Sequence, residues 1–190
     1  MATLQLDPKK TALVIIDLQK GIVAHKTAPH ASADVIKRSA QLAEALRQKG
    51  GKVVYVHVNM SDFLKLPADQ PTRDPNAPAP PPEASELVPA AGFQDGDLLI
   101  TKRHWGAFAG TDLEKQLRQR GIETILLTGI STNFGVESTA RQGTGLGFGF
   151  VIVEDACTSQ DAEMHKFSFE KIFPRLARVR STDEVLAALN

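Results

Sequence analysis

The chain contains one cysteine, Cys157, among 190 residues. A lone thiol excludes an intramolecular disulfide and any all-cysteine metal site within one chain. Net charge is also missing, because Lys and Arg together number 22 and so do Asp and Glu. That balance removes the electrostatic footprint expected of a nucleic-acid or anionic-membrane binder. No apolar stretch approaches the roughly 20 residues that a membrane span requires. The opening MATLQLDPKK lacks the apolar core of a secretory signal. These absences point to a cytoplasmic protein whose partner is a small molecule rather than nucleic acid or membrane. The length fits one domain over residues 1–190, long enough to bury a core.

What is present is an alternation of strands and helices. KTALVIIDLQ (10–19) carries a continuous apolar run from Ala12 to Ile16 that ends at Asp17. A Val- and Ile-rich run too short for a helix reads as a strand buried on both faces. The following HASADVIKRSAQLAEALRQKGG has helical spacing, with Ser32 as its cap and Gly50 and Gly51 as its stop. KVVYVHV (52–58), GDLLITK (96–102), ETILLTG (123–129), FGFVIVED (148–155) and ARVRS (177–181) read as further strands. TDLEKQLRQRG (111–121) reads as a helix with Thr111 as cap, Glu114 three residues later and a closing Gly121. Helices are also expected at 133–142, 161–173 and 182–189. Residues 61–95 interrupt the pattern, with most of the prolines concentrated there, including APAPPPE. They read as an excursion loop of polyproline character, the alternative being a linker between two domains. Alternating strands and helices predict a Rossmann-like three-layer α/β/α sandwich around a parallel sheet.

In such a sheet, chemistry gathers beyond the carboxyl ends of the strands. Asp17 closes the first strand, Lys102 the third, and GISTNFG follows the fourth. Alone, Asp17 is equally a solvated or helix-capping carboxylate, and Lys102 alone is a surface lysine. Together at strand ends they suggest a carboxylate and an ammonium sharing one pocket, an arrangement that tunes the acid's proton affinity. His57 reads as a satisfied core histidine. Cys157 lies after a different strand and reads as packing rather than a nucleophile. The glycines of RQGTGLGFGF (141–150) close a helix and lead into a strand. A dinucleotide fingerprint requires the reverse order, so they read as a flexible turn that ends the helix early.

ALVIIDLQ, KRHWGAFAGTDLEKQLRQRGIETILLTGISTNFGVESTAR and VIVEDACTS resemble the three signature blocks of the isochorismatase-like hydrolase superfamily. The resemblance extends from about Thr11 to the C-terminus, apart from the proline-rich loop. It implies a sheet of six parallel strands and a catalytic set of Asp, Lys and Cys that hydrolyses amides such as nicotinamide or N-carbamoyl compounds. Asp17 and Lys102 match the Asp and the Lys. The cysteine position falls on Gly135. The resemblance further implies a cis peptide at Ile130–Ser131. It also implies a substrate site drawn from Gln19, His104, Trp105, Phe108, Ile130, Ser131, Thr132, Asn133 and Phe134, with Trp105 equally readable as a dimer contact.

Without sulfur, thiolate attack is closed to this site. Isochorismatases also carry Gly at this position, and there the Asp protonates a vinyl ether carbon while water captures the cation. Their His-containing segment is replaced here by STNFG, which resembles the cysteine-using branch. The resemblance thus implies Asp/Lys acid–base hydrolysis with water as nucleophile. The alternatives are an amide or ureide hydrolase in which Asp17 activates water, and a catalytically silent binding protein. No cofactor is expected, and no metal either: some relatives bind zinc through Asp-x-His after the second strand, where HVNMSDF has no such spacing. Relatives oligomerise, so a homodimer or homotetramer is expected.

Overall fold

A computed structural model describes residues 4–74 and 76–189. Met1 to Thr3 of the opening segment, Pro75 of the proline-rich stretch and Asn190 lie outside the described residues. The elements run β1 (Thr11–Ile16), α1 (Lys20–Val23), α2 (Ser32–Gln48), β2 (Lys52–Val58), β3 (Leu98–Lys102), α3 (Leu113–Gln119), β4 (Thr124–Ile130) and α4 (Glu137–Gly145). There follow β5 (Gly149–Thr158), α5 (Ala162–Phe167), α6 (Phe173–Leu176), β6 (Arg178–Arg180) and α7 (Thr182–Leu189). The six strands pair in the order β3-β2-β1-β4-β5-β6, all parallel. Among the described residues no helix is long and apolar enough to cross a membrane.

The period of two along a strand divides the core between the two faces of the sheet. Ala12, Val14 and Ile16 of β1 join Val54, Val56, Leu113, Leu117, Ala140 and Phe173, so α3, α4 and α6 cover one side. Leu13 and Ile15 join Val53, Tyr55, Val35, Leu42, Leu46 and Val185, so α2 and α7 cover the other. All six side chains of β1 are buried, which is why its sequence is one unbroken apolar run. The strand order reverses between β1 and β4, and this is where a crevice opens in sheets of this kind. Gly129 permits that junction: at φ +121°, a Cβ there would meet backbone atoms of Ile16 at under 3 Å.

Several local expectations are corrected. Ser32 is the first helical residue of α2 rather than its cap, and its hydroxyl lies 3.2 Å from Thr27 Oγ1. Thr111 Oγ1 does accept from Leu113 N (3.3 Å), but Glu114 pairs with Arg118 instead of closing a capping box. The helix expected at 161–173 divides into α5, a wide π turn over Ser168–Ile172, and α6. Pro174, which has no N–H to return to the preceding turn, lies near the start of α6. The helix α4 does not end early. It runs through Gly143, where a Cβ would lie 2.5 Å from Phe150 Cζ and 2.8 Å from Phe108 Cε2, and it closes only at Gly147, φ +88°.

Gly143 is therefore a packing residue. Alanine favours a helix over glycine by about 1 kcal/mol, yet inserting a methyl against two buried rings costs about 1–3 kcal/mol. Gly143→Ala is expected to lower the urea midpoint. An unchanged or raised midpoint would show that the rings have room to give.

Candidate active site

The chain just beyond β1 turns sharply at Asp17, which adopts φ +54°. Non-glycine residues rarely occupy this left-handed region, and Asp tolerates it better than most. Asp17 is 5% exposed and Lys102 2%. Lys102 Nζ donates to Asp17 Oδ2 at 2.8 Å and to the His104 carbonyl at 2.9 Å. Asp17 Oδ1 is buried with no hydrogen-bond partner. Burial raises the Asp17 carboxyl above the ordinary carboxylate range, and the neighbouring Lys102 opposes this without reversing it. The result is a carboxyl that holds its proton more readily than a solvated aspartate, with one oxygen left unpaired.

The turn after β4 comes next to this pair. The Ile130–Ser131 peptide is cis, and Thr132–Val136 form a single π turn that leads into α4. A Cβ built on Gly135 would lie 3.3 Å from Asp17 Oδ2, 2.9 Å from Ile16 Cγ2 and 3.6 Å from the Trp105 carbonyl. Any side chain at residue 135 would therefore project at Asp17. Two residues of α4 fasten the loop that carries His104 and Trp105. Thr139 Oγ1 accepts from Ala107 N (3.1 Å) and donates to the Gly135 carbonyl (2.7 Å). Gln142 Oε1 accepts from Phe108 N (3.1 Å) and Ala109 N (3.3 Å). Sequence reading passed over both. Their only signal is an i, i+3 polar pair on a helix that packs against the sheet.

The structure sorts the expected lining residues into three groups. Trp105 and Phe134 stand beside Gly135, at the end of a stack that runs Phe63–His104–Trp105–Phe134 with centroids 5.1, 4.9 and 5.0 Å apart. Under the proline-rich excursion, a cavity of 230 Å³ lies between Met60, Phe63, Leu66, Arg73, His104 and Trp105. It adjoins the acid–cation pair through His104 and Trp105 rather than enclosing it. Ile130 and Phe108 belong to the cores on the two faces of the sheet and do not line the cavity. Gln19, Thr132 and Asn133 have structural partners. Gln19 is fully buried and joins β2 to the excursion loop, donating to the carbonyls of Val58 (3.0 Å) and Ala84 (3.1 Å) and accepting from Val58 N (2.8 Å). Thr132 Oγ1 lies 2.9 Å from His165 Nδ1, and Asn133 Oδ1 accepts from Ser159 Oγ at 2.6 Å. Ser131 is half-buried at the mouth of the turn.

His57 is satisfied on both ring nitrogens, by the Ser85 carbonyl (2.7 Å) and Thr101 Oγ1 (2.8 Å). Cys157 is fully buried in the core, its Sγ 3.9 Å from the Leu127 carbonyl, and burial pushes its thiol pKa far up. Thiolate is the reactive form. Iodoacetamide is therefore expected to leave the folded protein unlabelled at Cys157 and its activity unchanged, as read by mass spectrometry and rate. Parallel loss of thiol and activity would contradict this placement.

An all-parallel sheet with a buried acid–cation pair formed from the ends of β1 and β3 defines a Rossmann-like α/β protein. Residues 11–184 match the isochorismatase domain, and the chain belongs to the isochorismatase family of hydrolases. It is 50% identical over 187 residues to the isochorismatase family protein YecD of Escherichia coli O157:H7, covering 98% of this chain and 100% of that protein. It is 45% identical over 189 residues to YwoC of Bacillus subtilis, covering 98% and 97%. The structure of an isochorismatase family protein from Burkholderia thailandensis superimposes with a TM-score of 0.91 at 41% identity, covering 99% of each chain. More distant relatives include the ureidoacrylate amidohydrolase RutB of Acinetobacter baylyi, 28% identical over 89% of this chain and 79% of that one. The N-carbamoylsarcosine amidase of Thermoplasma acidophilum aligns with a TM-score of 0.73 at 25% identity, covering 92% and 97%.

Proposed function

We propose that this protein hydrolyses a small molecule by acid catalysis, with Asp17 as proton donor and water as nucleophile, and that a vinyl ether of the isochorismate type is its substrate. The observation that carries this reading is Gly135. The position that projects at Asp17 bears no side chain, so the acid has no enzyme nucleophile to deprotonate and its proton is available to substrate. In the reaction, the Asp17 carboxyl gives its proton to the terminal vinyl carbon, leaving an oxocarbenium ion. Water adds to that cation and loses a proton, and the hemiketal collapses to pyruvate and the ring alcohol. Burial favours the protonated acid at the start of the cycle, and Lys102 stabilises the carboxylate that the transfer leaves behind. Trp105 and Phe134, their rings 5.0 Å apart and inclined at 43°, offer an aromatic surface for a ring.

A second reading has specific support. The names of RutB and of the N-carbamoylsarcosine amidase point to ureide and amide substrates. In that case Asp17 would take a proton from water rather than give one to substrate. Turnover of isochorismate, ureides and amides, each with Asp17→Asn as control, separates the readings. Pyruvate release from isochorismate that is lost in the variant supports acid catalysis. Ammonia release from a ureide or amide supports the second reading. A chain that binds but turns over none of them would be a silent binding protein, and both would fail.

A further inference from the structure

Three ligand atoms outside the catalytic pair converge from three separate segments. His30 lies in the loop between α1 and α2, Glu154 in β5 and His165 in α5. His30 Nε2 and His165 Nε2 each lie 3.0 Å from Glu154 Oε1, and all three ligand atoms fall within 4.8 Å of one another. Ligands about a tetrahedral ion with bonds of about 2.0–2.2 Å sit roughly 3.3–3.6 Å apart, so the two 3.0 Å contacts to Glu154 need to open only slightly. The set lies far along the chain from HVNMSDF, the segment where sequence reading sought a metal.

We infer that His30, Glu154 and His165 form a binding site for a divalent transition-metal ion of the zinc class. Two imidazoles and one carboxylate suit Zn²⁺ among the common divalent ions, and they leave a fourth position for water. The His165 ring and the His30 loop are already held in place. His165 is buried, and its Nδ1 lies 2.9 Å from Thr132 Oγ1. The His30 loop is tied to the end of β5, with the His30 carbonyl accepting from Thr158 Oγ1 (2.8 Å) and Ala28 and Ser159 exchanging backbone bonds of 2.8 and 3.1 Å. His30 and Glu154 are only half-buried, which leaves the ion a path from solvent.

Proton accounting also closes. Without metal, each ring donates from Nε2 to the Glu154 carboxylate. When an ion takes the Nε2 lone pairs, each ring proton moves to Nδ1. At His165 the Thr132 hydroxyl, which both donates and accepts, then receives it. Thr132 also opens the turn that carries Gly135, so one hydrogen bond links this site to the active-site turn.

Calorimetric titration of the metal-stripped full chain with Zn²⁺ tests the assignment, and Co²⁺ absorption reports the geometry. The expected result is one ion per chain, a tetrahedral Co²⁺ spectrum, and a melting temperature raised by Zn²⁺. His30→Gln and Glu154→Gln should each weaken binding at least about tenfold and abolish the thermal shift, while His25→Gln, at an exposed position outside the set of three, serves as the unaffected control. Should Glu154→Gln fail to fold, His30→Gln alone decides, because its side chain lies in a surface loop. No saturable binding at micromolar Zn²⁺, or binding that His30→Gln leaves unchanged, would overturn the assignment and leave a hydrogen-bonded network.

Discussion

Asp17→Asn is expected to lower kcat/KM by about 10²–10⁴-fold, the usual loss when a positioned acid or base is removed. The substitution is nearly isosteric. Asn tolerates the left-handed backbone that residue 17 adopts at φ +54°. Lys102 retains its 2.9 Å bond to the His104 carbonyl, so the pocket keeps one anchor for the cation. The variant should therefore fold and bind substrate while lacking the proton to transfer. Activity close to wild type would remove Asp17 from the mechanism. Loss of folding, read by circular dichroism, would make Asp17→Asn a stability variant and pass the decision to the pH profile.

Lys102→Met carries the largest expected effect on stability. Methionine matches the length of the stem but strips the charge, leaving Asp17 as an uncompensated buried carboxyl. Removing one partner of a buried pair costs about 3–5 kcal/mol. The sign of its pH dependence follows from Asp17. Desolvation already raises this carboxyl, and Lys102 is the main opposing influence, so its removal raises the folded-state value further. Stability linked to a raised carboxyl is present below the unfolded value of about 3.9 and is lost as pH rises through the folded value. The deficit of Lys102→Met should accordingly be large in urea unfolding at pH 7 and shrink toward pH 4. The double variant Asp17→Asn, Lys102→Met should recover part of it, because no lone charge then remains buried. A deficit independent of pH would point to lost packing instead.

The strand ends were the most legible part of this site. β1 is buried on both faces and reads as an apolar run, so its end at Asp17 stands out, whereas β3 is a partly exposed edge strand that carries Lys102 as its last residue. Gly135 was legible only through family resemblance, since a glycine announces nothing about the side chain it replaces. What stayed hidden depends on contacts across long sequence distances. Gln19 reads as a polar lining residue until the Val58 and Ala84 backbone groups, 39 and 65 positions away, are seen to occupy it. His30 and Glu154, 124 positions apart, share no local pattern. Gly143 looked like flexibility because sequence shows the missing side chain but not the Phe108 and Phe150 rings that require its absence. The wide turn at 168–172 escaped notice because helical periodicity barely changes when one extra residue enters a turn.

The most direct test of acid catalysis is the pH dependence of kcat/KM for isochorismate, which reports ionisations of the free enzyme. With Asp17 raised by burial and acting as proton donor, the rate should be highest at low pH, within the folded range, and should fall as pH rises through the Asp17 value. A rate that instead climbs with pH over the same interval would show that the ionised carboxylate is the active form, and Asp17 would then be a base acting on water.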